Sequence, residues 1–216
     1  MQRVLEPEVM DTPEEADGYD AMDHSGPNAA FVDRLVELGA TGQMLDLGTG
    51  PGHIPLLVCQ RIAAAQVVGI DLSENMLRHA ERHRTASPHG ERVRFEIADA
   101  KGLRFEDDTF DVVYSNTILH HIPDPHPFLM EAWRVLRPGG TLLIRDLFRP
   151  DTPERAVELV DMHAPDEAEY NRQLFRASLC AAFTPDELRE LARAAGLDRA
   201  VVVIDSDRHM SLQTAS

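Results

Sequence analysis

The chain has 216 residues, enough for one α/β domain with a sheet buried on both faces, and it leaves little room for a second domain. Its 37 acidic residues outnumber 21 Lys and Arg, and the resulting net charge of −16 disfavours nucleic acid and anionic membrane surfaces as partners. No apolar run reaches the roughly 18 residues of a spanning helix, the acidic start does not resemble a secretion signal, and two cysteines are too few for a disulfide framework. These features predict a cytoplasmic protein without membrane insertion.

The first half of the chain predicts a parallel sheet. We expect a flexible acidic segment at 1–18 and a single domain at 19–216, which begins with a cap at 19–38 containing one helix. Five apolar segments then alternate with segments long enough for helices, a pattern typical of a parallel α/β sheet. These predicted strands are 43–48, 67–71, 93–97, 110–115 and 141–147. A further helix is predicted near 126–136, where Pro-Gly-Gly at 138–140 stops it.

The last third predicts an insertion followed by a helix and two strands. Residues 149–180 have weak periodicity and are expected to form a lid-like insertion of two short helices. Residues 184–187 read Thr-Pro-Asp-Glu, which combines a capping threonine, a proline at the first helical position and a capping acid. Two final strands, 200–205 and 208–213, are predicted to join at the turn 205–207.

The strongest local motif is a glycine-rich loop. Residues 44–52 read Met-Leu-Asp-Leu-Gly-Thr-Gly-Pro-Gly, and the glycines allow a backbone to pass close beneath a nucleoside, where a Cβ would collide. The glycine spacing differs from the Gly-x-Gly-x-x-Gly of nicotinamide cofactor sites, and the preceding Asp46 suits an ammonium better than a phosphate. The next strand ends in Asp71, whose carboxylate can accept hydrogen bonds from both hydroxyls of a ribose. The alternative is a plain tight turn with Asp71 as a helix cap.

With these motifs the chain resembles class I S-adenosylmethionine-dependent methyltransferases, in particular the branch related to ubiquinone and menaquinone biosynthesis methyltransferases. The similarity covers about residues 28–147 and includes the glycine loop, VVGIDLSENML at 67–77, VRFEIADAKGLRFEDDTFDVVYSN at 93–116 and LRPGGTLLIRDL at 136–147. The resemblance implies a Rossmann-like methyltransferase fold: a seven-stranded, mostly parallel sheet of order 3-2-1-4-5-7-6 with helices on both faces. It also implies S-adenosyl-L-methionine as the cofactor.

The resemblance further implies which residues contact the cofactor. Asp46 and the loop glycines would hold the methionine end, Asp71 the ribose and Asp99 the adenine. A cap tyrosine would shield the methionine moiety. The implied cofactor contacts are Tyr19, Asp46, Gly48, Thr49, Gly50, Asp71, Leu72, Met76, Asp99, Ala100 and Asn116. The Asn-Pro-Pro-Tyr type signature is absent after the fourth strand, which disfavours methylation of nucleobase amino groups.

Two histidines and an acid are candidate catalytic residues. A sulfonium methyl is already activated, so the protein mainly aligns the nucleophile, carbon and sulfur and excludes water. His120 and His121 follow the fourth strand, at the sheet edge where ligands bind, and imidazole titrates near neutrality as a general base should. Either histidine could instead pack against the residues that follow. Asp146, at the end of the fifth strand, could bind or deprotonate an acceptor or could only support hydrogen bonding.

Several residues outside the glycine loop are candidates for binding the acceptor. They are His24 in the cap, Met162 and Tyr170 in the insertion, and Arg208 and His209 in the last turn. The Arg-His pair offers donors to a carboxylate or phosphate, although such clusters also occur in solvated turns. The insertion residues could instead pack the insertion onto the core. No metal site is predicted, because these histidines and the His120-His121 pair lack recognisable ligand spacing.

We therefore predict an enzyme that transfers a methyl group from S-adenosylmethionine to a small-molecule acceptor by direct displacement. The acceptor and the oligomeric state stay open. One alternative is a non-catalytic S-adenosylmethionine-binding module. Another is a nicotinamide-dependent oxidoreductase, which the glycine spacing and the absence of a Tyr-x-x-x-Lys pair disfavour.

Overall fold

A single seven-stranded sheet forms the centre of the computed structural model, which describes residues 1–6 and 11–214. The strands are β1 (Gln43–Leu47), β2 (Gln66–Asp71), β3 (Val93–Ile97), β4 (Phe110–Asn116), β5 (Leu136–Leu147), β6 (Ala200–Ile204) and β7 (His209–Thr214). Their order is β3-β2-β1-β4-β5-β7-β6. β7 runs antiparallel to both of its neighbours, while the other pairs are parallel. The predicted fold class and strand order are confirmed.

Eight helices surround the sheet in the described part of the chain. They are α1 (Pro13–Asp20), α2 (Ser25–Glu37), α3 (His53–Arg61), α4 (Glu74–Ala86), α5 (His126–Val135), α6 (Pro153–His163), α7 (Glu169–Ala181) and α8 (Pro185–Ala194). Single 3₁₀ turns occupy Gly90–Arg92 and Leu119–His121. None of these helices combines the length and the apolar composition that crossing a bilayer requires.

Apolar side chains bury both faces of the sheet. Successive side chains of a strand point to opposite faces, so one strand can contribute to two cores. On β1, Leu45 lies in one core cluster with Phe128 of α5 and Leu188 of α8. The neighbouring Met44 lies in a second cluster with Val58 of α3. This two-sided burial is why the parallel strands read as nearly continuous apolar runs in the sequence.

Helix α1 differs from the prediction of a flexible segment at 1–18. Its first turn is a capping box, in which the Thr12 hydroxyl accepts the N–H of Glu15 and the Glu15 carboxylate accepts the N–H of Thr12. Pro13 occupies the first helical position, where its missing N–H has no cost. The same Thr-Pro-x-Glu pattern starts α8 at Thr184, where the sequence does predict a helix. The acidic composition hid this start signal.

Residues 1–6 contact the loop that follows β4. The guanidinium of Arg3 donates a hydrogen bond of 3.0 Å to the carbonyl oxygen of His120 and lies 3.7 Å from the centre of the Phe183 ring. These contacts tie the start of the chain to the edge of the sheet where the predicted catalytic histidines lie. Residues 7–10 of the predicted flexible segment lie outside the described residues.

The predicted insertion at 149–180 contains two helices, α6 and α7. They pack on each other through a small core of their own, which includes Leu159 and Leu179 and rests on Leu147 at the end of β5. Because the insertion buries its apolar residues in this separate core, it stands beside the main sheet as a distinct layer.

The Pro-Gly-Gly segment at 138–140 lies inside a strand. β5 begins at Leu136, directly after α5, and pairs with Phe110 of β4 before the register shifts. A Cβ on Gly140 would lie 2.8 Å from the carbonyl oxygen of Asp111, so only glycine fits where β5 comes this close to the backbone of β4. The helix ends at Val135, one residue before the predicted end, and the Pro-Gly-Gly segment follows it inside β5, so the fifth strand is longer than the predicted 141–147.

Candidate functional site

A cavity lies at the carboxyl ends of β1, β2 and β4, where the strand order reverses and parallel α/β sheets bind their ligands. All eleven residues predicted to contact the cofactor line it, and so do His24 and His121. The sequence did not single out the remaining lining residues. They are Asn28, Pro51, His53, Ile54, Ala98, Lys101, Thr117, Ile118 and Ile122.

The glycine loop forms a tight bend beneath this cavity. Gly48, Gly50 and Gly52 all adopt positive φ angles, +71°, +54° and +78°, which explains why the glycines alternate in the sequence. A Cβ on Gly48 would lie 2.6 Å from the side chain of Ile118, whereas one on Gly50 would meet nothing within 4 Å. The N–H groups of residues 48 and 49 both donate to the carbonyl oxygen of Ile70, at 2.9 Å, which fixes the loop against β2.

Asp46 is a buried carboxyl group beside this bend. Its relative exposure is 2%, and the hydroxyl of Thr49 donates to it at 2.7 Å. Burial raises the pKa of Asp46 to about 7. The hydrogen bond from Thr49 opposes this rise, and the charge of Asp71 adds a smaller contribution to it. A cation placed next to Asp46 would therefore stabilise its ionised form.

Asp71 presents a carboxylate whose acceptor capacity is partly used. One oxygen accepts the N–H of Gly50 at 2.8 Å and the other accepts the N–H of Ser73 at 2.9 Å. Burial raises the pKa of Asp71, while these backbone donors oppose the rise. An ionised carboxylate has about four acceptor positions, so Asp71 keeps acceptor capacity for a ligand beside its contacts with the N–H groups of Gly50, Leu72 and Ser73. The cap of α4 is Ser73, whose hydroxyl accepts the N–H of Met76, so Asp71 is not the helix cap.

Two more segments complete the walls of the cavity. After β3, the Asp99 carboxylate accepts the backbone N–H of Lys101 at 2.8 Å and lies 3.1 Å from its ammonium group. Another wall comes from the first two helices. Tyr19 near the end of α1 and His24 just before α2 both line the cavity, and their rings lie 4.6 Å apart. Thr117, just beyond β4, has a φ of +64°, a conformation that is rare for threonine and that concentrates at functional sites.

The structure separates the two predicted catalytic histidines. His121 lines the cavity, and its Nδ1 lies 3.4 Å from the carboxylate of Glu6. His120 is 2% exposed, is absent from the lining, and its Nδ1 lies 2.6 Å from Asp146, which also accepts the His120 backbone N–H at 2.8 Å. Burial alone would lower the pKa of His120, but the charge and hydrogen bond of Asp146 outweigh it and raise the pKa. The His120–Asp146 pair therefore fastens the loop that carries His121.

The other predicted acceptor residues do not line the cavity. Met162 and Tyr170 are 57% and 63% exposed on the outer faces of α6 and α7. The guanidinium of Arg208 lies 2.8 Å from Nδ1 of His163, so it joins the last turn to α6. Burial, together with the positive charge of Arg208, lowers the pKa of His209 to about 4. The separate core of the insertion accounts for Met162 and Tyr170, which lie on its outer faces. Arg208 lies in the turn between β6 and β7, and His209 begins β7.

Comparison with known proteins finds similarity to methyltransferases. A family model described as a methyltransferase domain matches residues 45–144, from Leu45 in β1 to Ile144 in β5, which is slightly less than half of the chain. The predicted resemblance to S-adenosylmethionine-dependent methyltransferases, including the ubiquinone and menaquinone biosynthesis branch, is confirmed.

Two curated relatives and one solved structure illustrate what this chain is similar to. The ubiquinone/menaquinone biosynthesis C-methyltransferase of Desulfotalea psychrophila is 38% identical over 109 residues, which cover 50% of this chain and 43% of that protein. The 27-O-demethylrifamycin SV methyltransferase of Amycolatopsis mediterranei is 33% identical over 171 residues, 78% of this chain and 59% of that protein. The chain thus spans about half the length of these relatives. A crystal structure of a SAM dependent methyltransferase from Aquifex aeolicus shares the fold, with a TM-score of 0.71 at 18% identity over 95% of this chain and 98% of that one.

The residues of the cavity fit the family cofactor. A glycine bend with room above Gly50 suits a close approach by a nucleoside. The buried Asp46 suits a primary ammonium, and the remaining acceptor capacity of Asp71 suits ribose hydroxyls. Each of these three features corresponds to a different part of S-adenosylmethionine.

Proposed function

We propose that this methyltransferase transfers the methyl group of S-adenosylmethionine to a small-molecule acceptor by direct in-line displacement. One observation carries the proposal: a buried acid, Asp46, and a hydrogen-bonded acid, Asp71, line a single cavity on either side of the left-handed glycine bend. A phosphate-binding site would not place two carboxylates there. The net charge of −16 further supports a small acceptor over a nucleic acid.

In this proposal the chain binds and orients, and the cofactor when bound supplies an electrophilic methyl group. Asp46 binds the ammonium of the methionine end, Asp71 accepts both ribose hydroxyls, and Asp99 and Ala100 flank the adenine. Tyr19 covers the methionine part from the cap. Together they hold one geometry and exclude water, which is most of what an activated methyl group requires.

His121 is the proposed base for acceptors that must lose a proton. Its ring lines the cavity, and the Glu6 carboxylate 3.4 Å from Nδ1 can stabilise the imidazolium that forms. His120 and Asp146 are positioning residues, since their paired side chains are buried behind the loop. Asn28 and Thr117 line the cavity near His121's loop and the cap and are candidate acceptor contacts.

Calorimetric titration with S-adenosylmethionine and S-adenosylhomocysteine tests the cofactor site. We expect both to bind, and we expect Asp71→Ala to weaken binding by about 1–3 kcal/mol because charge-assisted hydrogen bonds are lost. Asp186→Ala is the matched control, because the Asp186 side chain is 90% exposed on α8. Absence of binding by the unaltered protein would refute the proposal.

Turnover is tested separately, by following S-adenosylhomocysteine formation with a panel of oxygen, nitrogen, carbon and sulfur nucleophiles. Formation with at least one acceptor supports the enzyme. Tight cofactor binding without turnover on any member of the panel would favour the alternative of a non-catalytic binding module. Thermal stabilisation by a nicotinamide cofactor instead of S-adenosylmethionine would favour an oxidoreductase.

A further inference from the structure

Several imidazoles surround one carboxylate where α1 meets α3 and α4. Oδ1 of Asp20, at the end of α1, lies 3.0 Å from Nε2 of His53 and 3.4 Å from Nε2 of His83. The other oxygen of Asp20, Oδ2, lies 2.9 Å from Nδ1 of His79 and 3.1 Å from the guanidinium of Arg82. The Asp20 side chain is 13% exposed, so these groups meet largely out of water.

The hydrogen-bond pattern of His83 leaves one of its ring nitrogens facing an acceptor. Its Nδ1 lies 2.9 Å from the carbonyl oxygen of Pro51, which can only accept, so Nδ1 carries a hydrogen. The Nε2 of a neutral His83 then directs a lone pair at Asp20 Oδ1, which also only accepts. Oδ1 is itself buried and accepts no hydrogen bond of good geometry from any residue in 1–6 or 11–214. A second proton on His83, or a bound cation, resolves this juxtaposition.

The His53 ring stacks on the His83 ring. Their centres are 4.5 Å apart and their planes are inclined by 28°, and the Nε2 atoms of both rings face the same oxygen of Asp20. An imidazole nitrogen can offer a lone pair to a metal ion, and histidine is the commonest protein ligand of such ions.

We propose that Asp20 Oδ1, His53 Nε2 and His83 Nε2 bind a divalent transition metal ion of the zinc class. The three atoms lie within 4.8 Å of one another. Ligand atoms at zinc distances of about 2.0–2.2 Å in a tetrahedron are about 3.3–3.6 Å apart. The 3.4 Å from Asp20 to His83 lies in this range, and the 3.0 Å from Asp20 to His53 is slightly shorter. Three protein ligands leave a fourth position for water.

The surroundings hold these ligands as metal sites usually do. A metal-binding histidine commonly donates its other N–H to a carbonyl oxygen, as His83 does to Pro51, and the second oxygen of a binding carboxylate is commonly hydrogen-bonded, as that of Asp20 is. The positive charge of Arg82 opposes a cation. Asp17, 2.9 Å from Nε2 of His79, offsets part of that charge.

The site goes beyond the proposed methyl transfer, because no step of that reaction passes through the ion. It would connect the cap to the body of the protein: Asp20 adjoins Tyr19, and both Tyr19 and His53 line the cofactor cavity. A bound ion would therefore fasten α1, with its tyrosine, to the start of α3 and to the last turn of α4.

Equilibrium dialysis of the full chain, stripped with a chelator and titrated near neutral pH with Zn²⁺ or Co²⁺, tests the site. Co²⁺ reports its ligands through visible absorption. We expect one ion per chain, bound about tenfold or more weakly by His53→Ala and by His83→Ala. Two controls are expected to bind like the unaltered protein: His126→Ala, at a half-buried position at the start of α5, and His121→Ala, which disrupts a second cluster formed by Glu6, His120 and His121.

Three results would overturn the proposal. The unaltered protein could bind neither ion, and His83 and Asp20 would then form a simple ion pair. The ion could survive in both histidine variants, or it could be lost in His121→Ala, and either result would place it elsewhere. If circular dichroism shows that a histidine variant is unfolded, Asp20→Asn replaces it in the test, because asparagine keeps the side-chain size. Ion binding by Asp20→Asn as tight as that of the unaltered protein would also overturn the proposal. Each readout is independent of methyl transfer, so failure here leaves the proposed function standing.

Discussion

Replacing Asp46 by asparagine is expected to stabilise the protein without its cofactor and to weaken cofactor binding. The carboxyl group is buried beside the glycine bend and accepts a hydrogen bond from Thr49. Asparagine has nearly the same shape and keeps one oxygen acceptor for that hydroxyl. It carries no charge, so it avoids the cost of burying an ionised carboxylate but has no attraction for an ammonium.

The size of the effect follows from the pKa of Asp46, which rises from 3.8 to about 7 in the folded protein. The folded state holds this proton more tightly than the unfolded chain does. The stability that this provides is complete below pH 3.8 and is lost as the pH rises through about 7. At about 1.36 kcal/mol per pKa unit, the loss amounts to at most about 4 kcal/mol. The asparagine variant does not titrate and keeps its stability over this range.

Urea denaturation of both proteins at several pH values measures the difference. The advantage of Asp46→Asn in the free energy of unfolding should grow from about pH 4 and level off above pH 7. Asp186→Asn, at a position 90% exposed, serves as the control and should show little advantage at any pH. An advantage that does not change with pH, or a variant that is less stable at pH 8, would refute the reasoning. Calorimetry should show weaker binding of S-adenosylhomocysteine by the variant.

Three further substitutions test the bend, the buried pair and the proposed base. Gly48→Ala should cost about 1–2 kcal/mol and lower the melting temperature, because φ is +71° and the new Cβ would lie 2.6 Å from Ile118. Asp146→Ala should lower the free energy of unfolding by about 3–5 kcal/mol in chemical denaturation. Glu158→Ala, which breaks an exposed ion pair with Arg155, should lower it by less than about 1 kcal/mol. His121→Gln should slow turnover about 10²–10⁴-fold with unchanged cofactor affinity, and an unaltered rate would exclude it as the base.

The sheet could be predicted because its determinants are local. The central parallel strands β1, β2 and β4 are buried on both faces and read as short apolar runs. The three alternating glycines at 48, 50 and 52 all have the positive φ angles that their spacing suggests. Helix α1 was missed although its capping box, Thr12 to Glu15, is equally local. There the acidic composition obscured a recognisable start signal.

The cavity could be predicted only where it is built from strand ends. Asp46, Asp71 and Asn116 follow from their positions at the carboxyl edge of the sheet. Glu6 reaches His121 from the start of the chain, and no sequence pattern connects residues so far apart. The positions of Met162 and Tyr170 depend on how the insertion packs on itself, which its weak periodicity does not specify.

Only part of the histidine cluster around Asp20 could be predicted from the sequence. His79 and His83 are four residues apart on α4, a spacing that places two side chains on the same face of a helix and that the sequence displays openly. His53 and Asp20 come from two other helices, so their approach to that face depends on the tertiary fold.

The position of α1 bears on how the protein exchanges spent cofactor for fresh. Tyr19 forms part of the cavity wall from a helix that is joined to the body through side chains such as Asp20 and through the hydrogen bond from Ser73 to Asp11. Elements that cover a ligand often move before it is released. If α1 moves in this way, the residence time of S-adenosylhomocysteine would reflect the opening rate of one eight-residue helix, and substitutions at its contacts, such as Asp11, could alter dissociation without touching the ligand.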